Sequence, residues 1–337
     1  MKIAIIGSGI SGLTAAYLLC KDYDITVFEA NDYIGGHTHT HEIALEKKNW
    51  RIDSGFIVYN ENTYPNFIKL LKKLNVATQK TSMGFSIKAP DKNLEYSGGS
   101  LNSLFAQRRN LFRPSFYLMI KDILRFNRVS ISKLKDLSET TTINEFLISN
   151  NFGKHFIKNY IIPMGAAIWS TAAEKVIEMP AVFYIRFFQN HGLLQINNRA
   201  QWHVIKDGSK SYINKIIQSF ESKVLLSTPV KKVKRYEHGV EVVYGNDKSS
   251  DIFDKVIFAN HSDQALKLLD DPSPEENMIL GALPYQKNVA LLHTDSEILP
   301  NKKITWSSWN YLLSVDNSKP VALTYNMNIL QSLDSKT

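Results

Sequence analysis

The sequence predicts an α/β fold in which a parallel-sheet domain is interrupted by an inserted α+β domain. Residues 2–6, KIAII, form an apolar run that is typical of a buried parallel strand. Residues 11–19, SGLTAAYLL, have the small and apolar side chains of a helix packed closely on a sheet. Residues 24–29, DITVFE, form a second strand rich in β-branched residues. A strand, a helix and a strand within about thirty residues make a βαβ unit.

Later segments indicate how the chain is divided. Helical spacing over residues 62–74 is followed by a predicted hairpin at residues 85–87 and 94–96, and residues 101–160 are predicted to be mostly helical. Strands are then predicted at residues 224–226, 231–235, 240–244 and 255–259. The last of these, within KVIFAN, is expected to return to the first sheet. We therefore expect a first domain of residues 1–80 and 203–265 and a second domain of residues 81–202 and 266–337.

A glycine-rich turn lies between the first strand and the first helix. Gly7, Gly9 and Gly12 form a GxGxxG motif, in which the three glycines permit a tight turn, a close approach of pyrophosphate to backbone, and close helix–strand packing. The helix N-terminus offers N–H groups and a partial positive charge to phosphates. Glu29 ends the second strand, where a carboxylate accepts hydrogen bonds from ribose hydroxyls and disfavours the 2′-phosphate of NADP. The first domain is therefore predicted to be a Rossmann-like dinucleotide-binding domain.

A second glycine pair, Gly35-Gly36, follows Glu29 after five residues. The pattern Glu-x5-Gly-Gly after GxGxxG resembles the two-part FAD signature of the flavin amine oxidase superfamily, which includes monoamine oxidases, protoporphyrinogen oxidases and phytoene desaturases. Residues 51–56, RIDSGF, are similar to the strand that follows in those enzymes, where an Asp-x-Gly supports the flavin nucleotide. The superfamily usually carries arginine where this chain has His37. The resemblance implies FAD as the cofactor, with these residues as candidates for binding it: Gly7, Gly9, Ser11, Gly12, Glu29, Gly35, Gly36, His37, Thr38, Asp53, Gly55 and Val230.

A narrower resemblance extends over almost the whole chain. Segments of the second part of the chain resemble a bacterial subgroup of the superfamily that is usually labelled predicted NAD/FAD-binding protein: residues 163–171, 187–194, 201–213, 291–300 and 307–311. The resemblance implies an FAD-dependent oxidoreductase of amine oxidase type, which oxidises an organic substrate by hydride transfer to the flavin. The superfamily also has a Gly-rich stretch near the C-terminus that contacts the flavin ring, and no such stretch precedes Thr337. A flavin-binding protein without turnover, as a truncated or degenerate paralogue or a partner subunit, is therefore the alternative.

Trp169, His191 and Lys287 are candidates for catalysis, although the sequence identifies no catalytic residue outright. Trp169 and His191, with Trp202 and Trp309, could line a substrate cavity or could equally pack in the core or in a turn. Only histidine changes its charge near neutral pH, which makes His191 the best titratable candidate. Lys287 precedes a predicted strand, NVALLH, that resembles the strand bearing a flavin-facing lysine in amine oxidases.

The alternating histidines of HTHTH, His37, His39 and His41, would project from one face of a strand and could ligate a metal. They directly follow the glycine pair of the FAD signature, where polar side chains near a phosphate are expected. A fourth ligand cannot be assigned from the sequence. We therefore predict no metal site.

Charge and hydropathy restrict the partners. One cysteine, Cys20, excludes an internal disulfide and favours a cytoplasmic setting, and no window reaches the roughly 18 apolar residues of a membrane span. Residues 101–135 carry eight basic side chains against one acid, beside an apolar stripe at Phe112, Phe116, Met119, Ile120 and Ile123. This segment is either a solvated helix face or a peripheral contact with anionic lipid.

No nucleic-acid recognition module accompanies the charge, and the oligomeric state is not predicted. A basic surface and an apolar cavity favour a lipophilic small-molecule substrate.

Overall fold

The computed structural model describes residues 1–45, 47–169, 171–195, 200–245, 249–313 and 322–335. The fold is mixed α/β, as the sequence predicted. The chain forms two compact units. Unit 1 comprises residues 1–57, 69–78 and 205–292, and unit 2 comprises residues 58–68, 79–204 and 293–337. Residues 266–292 thus lie in unit 1, whereas the sequence assigned them to the second domain.

The secondary structure alternates between short strands and helices along the chain. The strands are β1 Lys2–Ile6, β2 Asp24–Phe28, β3 Thr40–Leu45, β4 Lys48–Asp53, β5 Val58–Asn60, β6 Thr78–Thr81, β7 Phe85–Ala89, β8 Leu94–Ser97, β9 Trp202–Ile205, β10 Val224–Leu225, β11 Val230–Tyr236, β12 Gly239–Tyr244, β13 Ser249–Phe253, β14 Lys255–Phe258, β15 Trp309–Leu312 and β16 Ala322–Tyr325. The α-helices are α1 Ile10–Leu19, α2 Pro65–Lys73, α3 Leu101–Leu104, α4 Pro114–Lys133, α5 Ile143–Ser149, α6 Lys154–Phe156, α7 Ile162–Trp169, α8 Ala173–Glu178, α9 Ala181–Asn190, α10 Lys210–Ile216, α11 Ser262–Leu268, α12 Pro274–Gly281 and α13 Met327–Leu330.

A parallel sheet in the order β10-β2-β1-β14 forms the centre of unit 1. β1 pairs in parallel with β2 on one side and with β14 on the other, so that Ala4 lies beside Thr26 and Val256. The return of residues 255–258 to the first sheet agrees with the prediction from KVIFAN. Because parallel strands end at the same edge, the residues that follow β1, β2 and β14 meet at the carboxyl edge of this sheet.

An antiparallel meander of β11, β12 and β13 packs on the parallel sheet within unit 1. The shared core contains Ala4 and Phe28 from the sheet and Val242 and Phe253 from the meander. The Phe28 ring lies 5.0 Å from Tyr244 and 5.9 Å from Phe253, between ring centroids, in tilted and edge-to-face arrangements. Such aromatic pairs add stabilisation beyond their buried area.

Unit 2 contains a mixed sheet in the order β16-β15-β7-β8 and most of the helices. β7 and β8 form the predicted hairpin, and β15 pairs with β7 in parallel. Its core is rich in phenylalanine: Phe116, Phe126, Phe146, Phe152, Phe156 and Phe188. Residues 101–160 are largely helical, as predicted, with α4 as the main helix of 20 residues.

Two predicted features differ from the structure. Residues 288–293, NVALLH, form no strand and are exposed. No described strand pairs with them. An apolar run forms a strand only when its backbone N–H and C=O groups find hydrogen-bond partners. Phe116 and Met119 of the predicted apolar stripe lie in the core of unit 2 on the inward face of α4, whereas Phe112 precedes this helix and is exposed. None of the described helices combines the length and the apolar character that crossing a membrane requires.

Candidate functional site

In the glycine-rich turn at the carboxyl end of β1, Gly7 and Gly12 leave no room for side chains. Gly7 adopts a φ of +107°, and a Cβ atom there would lie 2.8 Å from the backbone oxygen of Ala259, which follows β14. A Cβ atom on Gly12 would lie 1.9 Å from the Gly7 oxygen. The Gly7 N–H donates to the Phe28 carbonyl at 2.9 Å. The turn is therefore fixed against both neighbouring strands, and α1 starts directly on top of it.

The N-terminus of α1 has the properties of an anion site. Gly9 is the N-cap, and no side chain among the described residues caps the helix. A Cβ atom on Gly9 would meet no atom within 4 Å, so the space beside this backbone is open. The first turn contains no acidic residue. The first N–H groups of a helix lack partners within the helix, and here they carry the positive end of the α1 dipole. Ser11 lies in this first turn.

Glu29 follows β2 and holds its carboxylate beside this turn. Its side chain is only 6% exposed. One oxygen, Oε2, accepts hydrogen bonds from the Ser8 N–H at 3.0 Å and from the Ser8 hydroxyl at 2.6 Å. The other, Oε1, accepts from the backbone and side-chain N–H groups of Asn31, both at 2.9 Å. Four donors from the chain thus fix the orientation of this carboxylate.

The second glycine pair packs against the first turn. Gly35 and Gly36 have φ values of +122° and +58°, which favour glycine. The Gly35 N–H donates to the Ser8 carbonyl at 3.1 Å and lies 3.3 Å from the Ser8 hydroxyl. A Cβ atom on Gly36 would lie 3.2 Å from the Gly9 Cα. The two parts of the sequence signature therefore form one continuous backbone surface.

The residues after the glycine pair are tied to β4 and α10. The His37 carbonyl accepts a hydrogen bond from the Phe56 N–H at 2.8 Å, and a Cβ atom on Gly55 would lie 2.0 Å from the same oxygen. Thr38 and Tyr212 share a short hydrogen bond between their hydroxyl groups. Burial raises the pKa of Tyr212 to about 12, so its hydroxyl is protonated at neutral pH.

Asp53 is almost fully buried and holds the start of α10. Its Oδ1 accepts from the Thr40 hydroxyl at 2.6 Å, and both oxygens accept from the Ser209 N–H at 2.9 and 3.0 Å. Burial raises the pKa of Asp53 above its ordinary value, and the hydrogen bonds from Thr40 and Ser209 partly oppose this. In the structure this carboxylate positions the backbone at Ser209.

Val230 begins β11, and its side chain packs against the core shared by the sheet and the meander. Two residues earlier, the Thr228 N–H donates to the Glu29 carbonyl at 2.8 Å. The start of β11 is thus held next to the end of β2. The Val230 side chain is only partly buried in this position.

The three histidines of HTHTH do not converge. The His37 ring stacks on His261, which itself stacks on Tyr285 with centroids 4.2 Å apart. His39 lies between Tyr33 and His41, and the His41 Nε2 lies 2.8 Å from the Ser54 hydroxyl. Burial, followed by the charges of His41 and Lys210, lowers the pKa of His39. Across the described part of the chain, no group of three metal-ligating side chains could hold an ion.

The catalytic candidates Trp169 and His191 belong to one aromatic cluster of unit 2. Phe187 lies between them, with ring centroids 5.0 Å from Trp169 and 3.9 Å from His191. The His191 ring is in turn 6.3 Å from Trp202 and parallel to it within 18°. The His191 Nδ1 lies 3.0 Å from the Phe187 carbonyl. Since a carbonyl only accepts, Nδ1 carries the hydrogen, and Nε2 is the acceptor of the neutral ring.

Trp309, a candidate for the cavity wall, and Lys287, the third catalytic candidate, lie outside this cluster. Trp309 packs edge to face on Tyr325 within the β15–β16 pair. Lys287 lies in the exposed segment 283–292 of unit 1, and the strand predicted to follow it does not form. The role of Lys287 therefore stays a prediction, without the strand on which its resemblance was based.

Several contributors to the site were missed by the sequence reasoning. Ser8 and Asn31 orient Glu29, and Tyr212 and Ser209 hold the loop after the second glycine pair. Ser8 stands inside the motif, so its position was a usable signal. Tyr212 and Ser209 lie more than 150 residues from their partners, and no local pattern links them.

Comparisons with known proteins identify the family of the chain. A profile of the family described as flavin containing amine oxidoreductase matches residues 10–314. A 1-hydroxycarotenoid 3,4-desaturase from Flavobacterium sp. is 36% identical over 124 residues, which are 32% of this chain and 24% of the relative. An L-amino-acid oxidase from Siganus canaliculatus is 21% identical over 282 residues, covering 75% of this chain and 47% of the relative.

The fold is also similar to solved structures. A putrescine oxidase redesigned in its cofactor binding superposes with a TM-score of 0.61 at 19% identity, covering 83% of this chain and 62% of that chain. The chain thus spans less than two thirds of the length of these relatives. The flavin cofactor predicted from the sequence, FAD, is confirmed by the family match. Since the profile matches most of its residues, the chain belongs to the flavin-containing amine oxidoreductase family.

Proposed function

We propose that the protein is an FAD-dependent oxidoreductase that oxidises an organic, lipophilic substrate by hydride transfer. The observation that carries the proposal is the open, uncapped N-terminus of α1 with the buried Glu29 beside it. FAD, when bound, supplies the electron acceptor for a hydride that leaves a carbon of the substrate. Unit 1 is proposed as the Rossmann-like cofactor domain and unit 2 as the α+β substrate domain.

In this proposal the first turn of α1 holds the pyrophosphate. Gly9 presents backbone without a side chain, and the N–H groups of Ser11 and its neighbours donate to phosphate oxygens. Glu29 accepts hydrogen bonds from the ribose hydroxyls of the adenosine part. Because the chain already places four donors on that carboxylate, the rotatable Ser8 hydroxyl or the Asn31 amide would yield its position to a ribose hydroxyl.

The remaining predicted cofactor residues have supporting roles in the proposal. Gly35, Gly36, His37 and Thr38 form the backbone wall opposite α1, and Tyr212 anchors it through Thr38. Asp53 and Gly55 position this wall through Ser209 and the His37 carbonyl. Val230 would contact the nucleotide from the start of β11, while part of its side chain packs against the core. Each of these residues excludes water from the nucleotide or fixes a neighbour that does.

For the substrate, the aromatic cluster of Trp169, Phe187, His191 and Trp202 is the proposed binding wall. Aromatic surfaces of this kind bind apolar chains or rings. The similarity to a carotenoid desaturase over about a third of the chain supports a lipophilic substrate. The similarity to L-amino-acid oxidases supports an amine instead, with lower identity over a longer span. His191 Nε2 is the acceptor within the cluster that could take a proton from a bound substrate.

The experiment begins with FAD reconstitution of the full chain and anaerobic mixing with candidate substrates, while the visible absorbance of the bound flavin is followed. Bleaching by a carotenoid or an unsaturated fatty acid, but not by putrescine or an L-amino acid, is the expected result. Bleaching by amines alone would contradict the lipophilic assignment and retain the oxidoreductase. An FAD-loaded protein that no substrate class reduces, yet that dithionite reduces, would contradict turnover.

His191 is tested with a matched pair of variants. His191→Phe keeps a ring against Phe187 and removes Nε2, whereas Trp202→Phe changes the neighbouring ring and leaves Nε2 in place. We expect only the first to lower the rate of flavin reduction, by about 100-fold, the typical effect of losing a general base. The FAD affinity should not change in either. Equal losses in both variants would reduce His191 to a packing role.

A further inference from the structure

The outward side of α4 combines apolar and cationic side chains in one row. Its inward side buries Phe116, Met119 and Phe126 in the core of unit 2. On the opposite side, Tyr117, Lys121, Leu124, Arg128 and Ile131 follow one another at spacings of four and three residues, and all are exposed. This spacing places them along one line of the helix. We refer to these five residues as the outer row.

The turn before α4 extends the outer row with two further apolar side chains. Phe112 is 86% exposed and Leu111 is 42% exposed. The Tyr117 hydroxyl donates to the Leu111 carbonyl at 3.1 Å, so this turn lies directly beside the start of the outer row. Leu118, next to Tyr117, is 60% exposed. Single exposed apolar residues are ordinary, but a contiguous set of this kind indicates a binding surface.

The charge of the same segment is almost entirely positive. Residues 101–135 contain eight basic residues and one acid, Asp122. Asp122 is engaged within unit 2, because it pairs with Arg125 at 3.0 Å and accepts the Gly153 N–H at 2.9 Å. Across the described ranges, no acidic group lies within ion-pair distance of Lys121, Arg128 or Arg113. The outer row therefore presents uncompensated positive charge among its apolar side chains.

We propose that the outer row, with Leu111, Phe112 and Leu118, binds an anionic membrane surface with α4 lying in the plane of the interface. A helix of 20 residues is about 30 Å long, which offers an extended contact. The cations attract lipid phosphates, while Phe112 and the leucines enter the boundary between headgroups and acyl chains. A nucleic acid would pair with the cations but would leave these apolar side chains in water. The surface chemistry thus favours a lipid interface.

The contact is peripheral and does not depend on the proposed oxidoreductase activity. This surface differs from the apolar stripe that the sequence indicated. Phe112 of that stripe is strongly exposed, whereas Phe116 and Met119 are core residues. The structure thereby changes which substitutions test the contact. Removing Phe116 would damage the core of unit 2, whereas Phe112 and Leu118 can be changed without disturbing it.

The test is co-sedimentation of the FAD-loaded full chain with vesicles of phosphatidylcholine mixed with phosphatidylglycerol, and with vesicles of phosphatidylcholine alone. We expect binding to the anionic vesicles only, falling as the Debye length shortens from about 10 Å at 0.1 M salt to about 3 Å at 1 M. Phe112→Ser combined with Leu118→Ser should lower the partition coefficient by at least about tenfold. Lys121→Gln and Arg128→Gln should each lower it by about fivefold.

Matched controls carry similar changes on unit 1. Ile252→Ser removes an apolar side chain that is 59% exposed, and Lys231→Gln removes an exposed cation on β11. Both should leave vesicle binding unchanged, and all variants should retain FAD and the wild-type unfolding temperature. The proposal is overturned if the wild-type chain fails to bind anionic vesicles at low salt. It is also overturned if the controls reduce binding as much as the outer-row variants, or if a single-stranded oligonucleotide binds with the same residue dependence while vesicles do not.

Discussion

Replacing Glu29 with glutamine places an amide where four donors converge on two carboxylate oxygens. Ser8 donates its N–H and hydroxyl to one oxygen, and Asn31 donates two N–H groups to the other. Glutamine has a single acceptor oxygen. Its NH₂ group would face one of the donor pairs, so at least one buried donor loses its partner. Hydrogen bonds to a charged group contribute about 1.5–3 kcal/mol each, and a buried donor left unpaired costs about 1–3 kcal/mol.

We therefore expect Glu29→Gln to lower the free energy of unfolding of the FAD-free protein by about 2–4 kcal/mol. The affinity for FAD should also fall, by about 5- to 150-fold relative to wild type, since the variant loses a charged acceptor for the ribose hydroxyls. Urea unfolding measures the first effect, and fluorescence titration of FAD measures the second. Glu237→Gln, at a side chain that is 88% exposed, is the matched control and should change neither.

Ser8→Ala provides the decisive comparison, because it removes one of the four donors. In the Ser8→Ala background, Glu29→Gln should cost at least about 1 kcal/mol less than in the wild-type chain, since one conflict no longer exists. If the two substitutions are additive within about 0.5 kcal/mol, the hydrogen bond between them does not contribute as described. If Glu29→Gln leaves the FAD affinity within twofold of wild type, Glu29 is not the ribose acceptor.

Three further predictions concern the same site. Gly9→Val should abolish FAD retention, because the valine side chain would fill the open space that the pyrophosphate needs. The unfolding temperature of the FAD-free protein should be nearly unchanged. Retention of FAD by this variant would contradict the proposed phosphate site. Burial raises the pKa of Asp53 above its ordinary value of 3.8, so its contribution to stability is complete below about pH 3.8 and is lost as the pH rises through the raised pKa. Urea unfolding at a series of pH values should show that the free energy of unfolding falls less for Asp53→Asn than for wild type as the pH rises above 3.8. Parallel dependence of the two free energies on pH would contradict the raised pKa. Tyr212→Phe should lower the free energy of unfolding by about 1–2 kcal/mol by removing the partner of Thr38, and an unchanged value would make that contact dispensable.

The parts of the fold that the sequence predicted well are those that local patterns determine. β1, α1 and β2 lie where the apolar run, the glycine motif and the β-branched run placed them, because each is specified by residues within about thirty positions. The hairpin of β7 and β8 was found from its turn residues in the same way. Glu29 and the glycines were identified because their spacing follows from the geometry of a βαβ unit.

Features that depend on distant contacts were missed. The apolar segment NVALLH has the composition of a strand. A strand also needs a pairing partner, and the sequence of the segment does not show whether one is present. The stripe on α4 was recognised as one apolar face, yet the sequence did not reveal whether that face turns inward. Phe116 and Met119 turned out to be core residues, and the outer row was identified only from exposure.

The site is built from a local sequence motif and from contacts between residues that are far apart in the chain. Gly7, Gly9 and Glu29 form their turn from the first thirty residues, but Thr38 and Asp53 are held by Tyr212 and Ser209, which lie more than 150 residues further along the chain. The backbone wall opposite α1 is therefore complete only when α10 has packed onto the N-terminal segment. A ligand that binds this wall in the folded state stabilises both segments together, by RT ln(1 + [L]/Kd). Cofactor binding and the docking of α10 are thus expected to be one cooperative event, although the motif that identifies the cofactor lies entirely in the N-terminal segment.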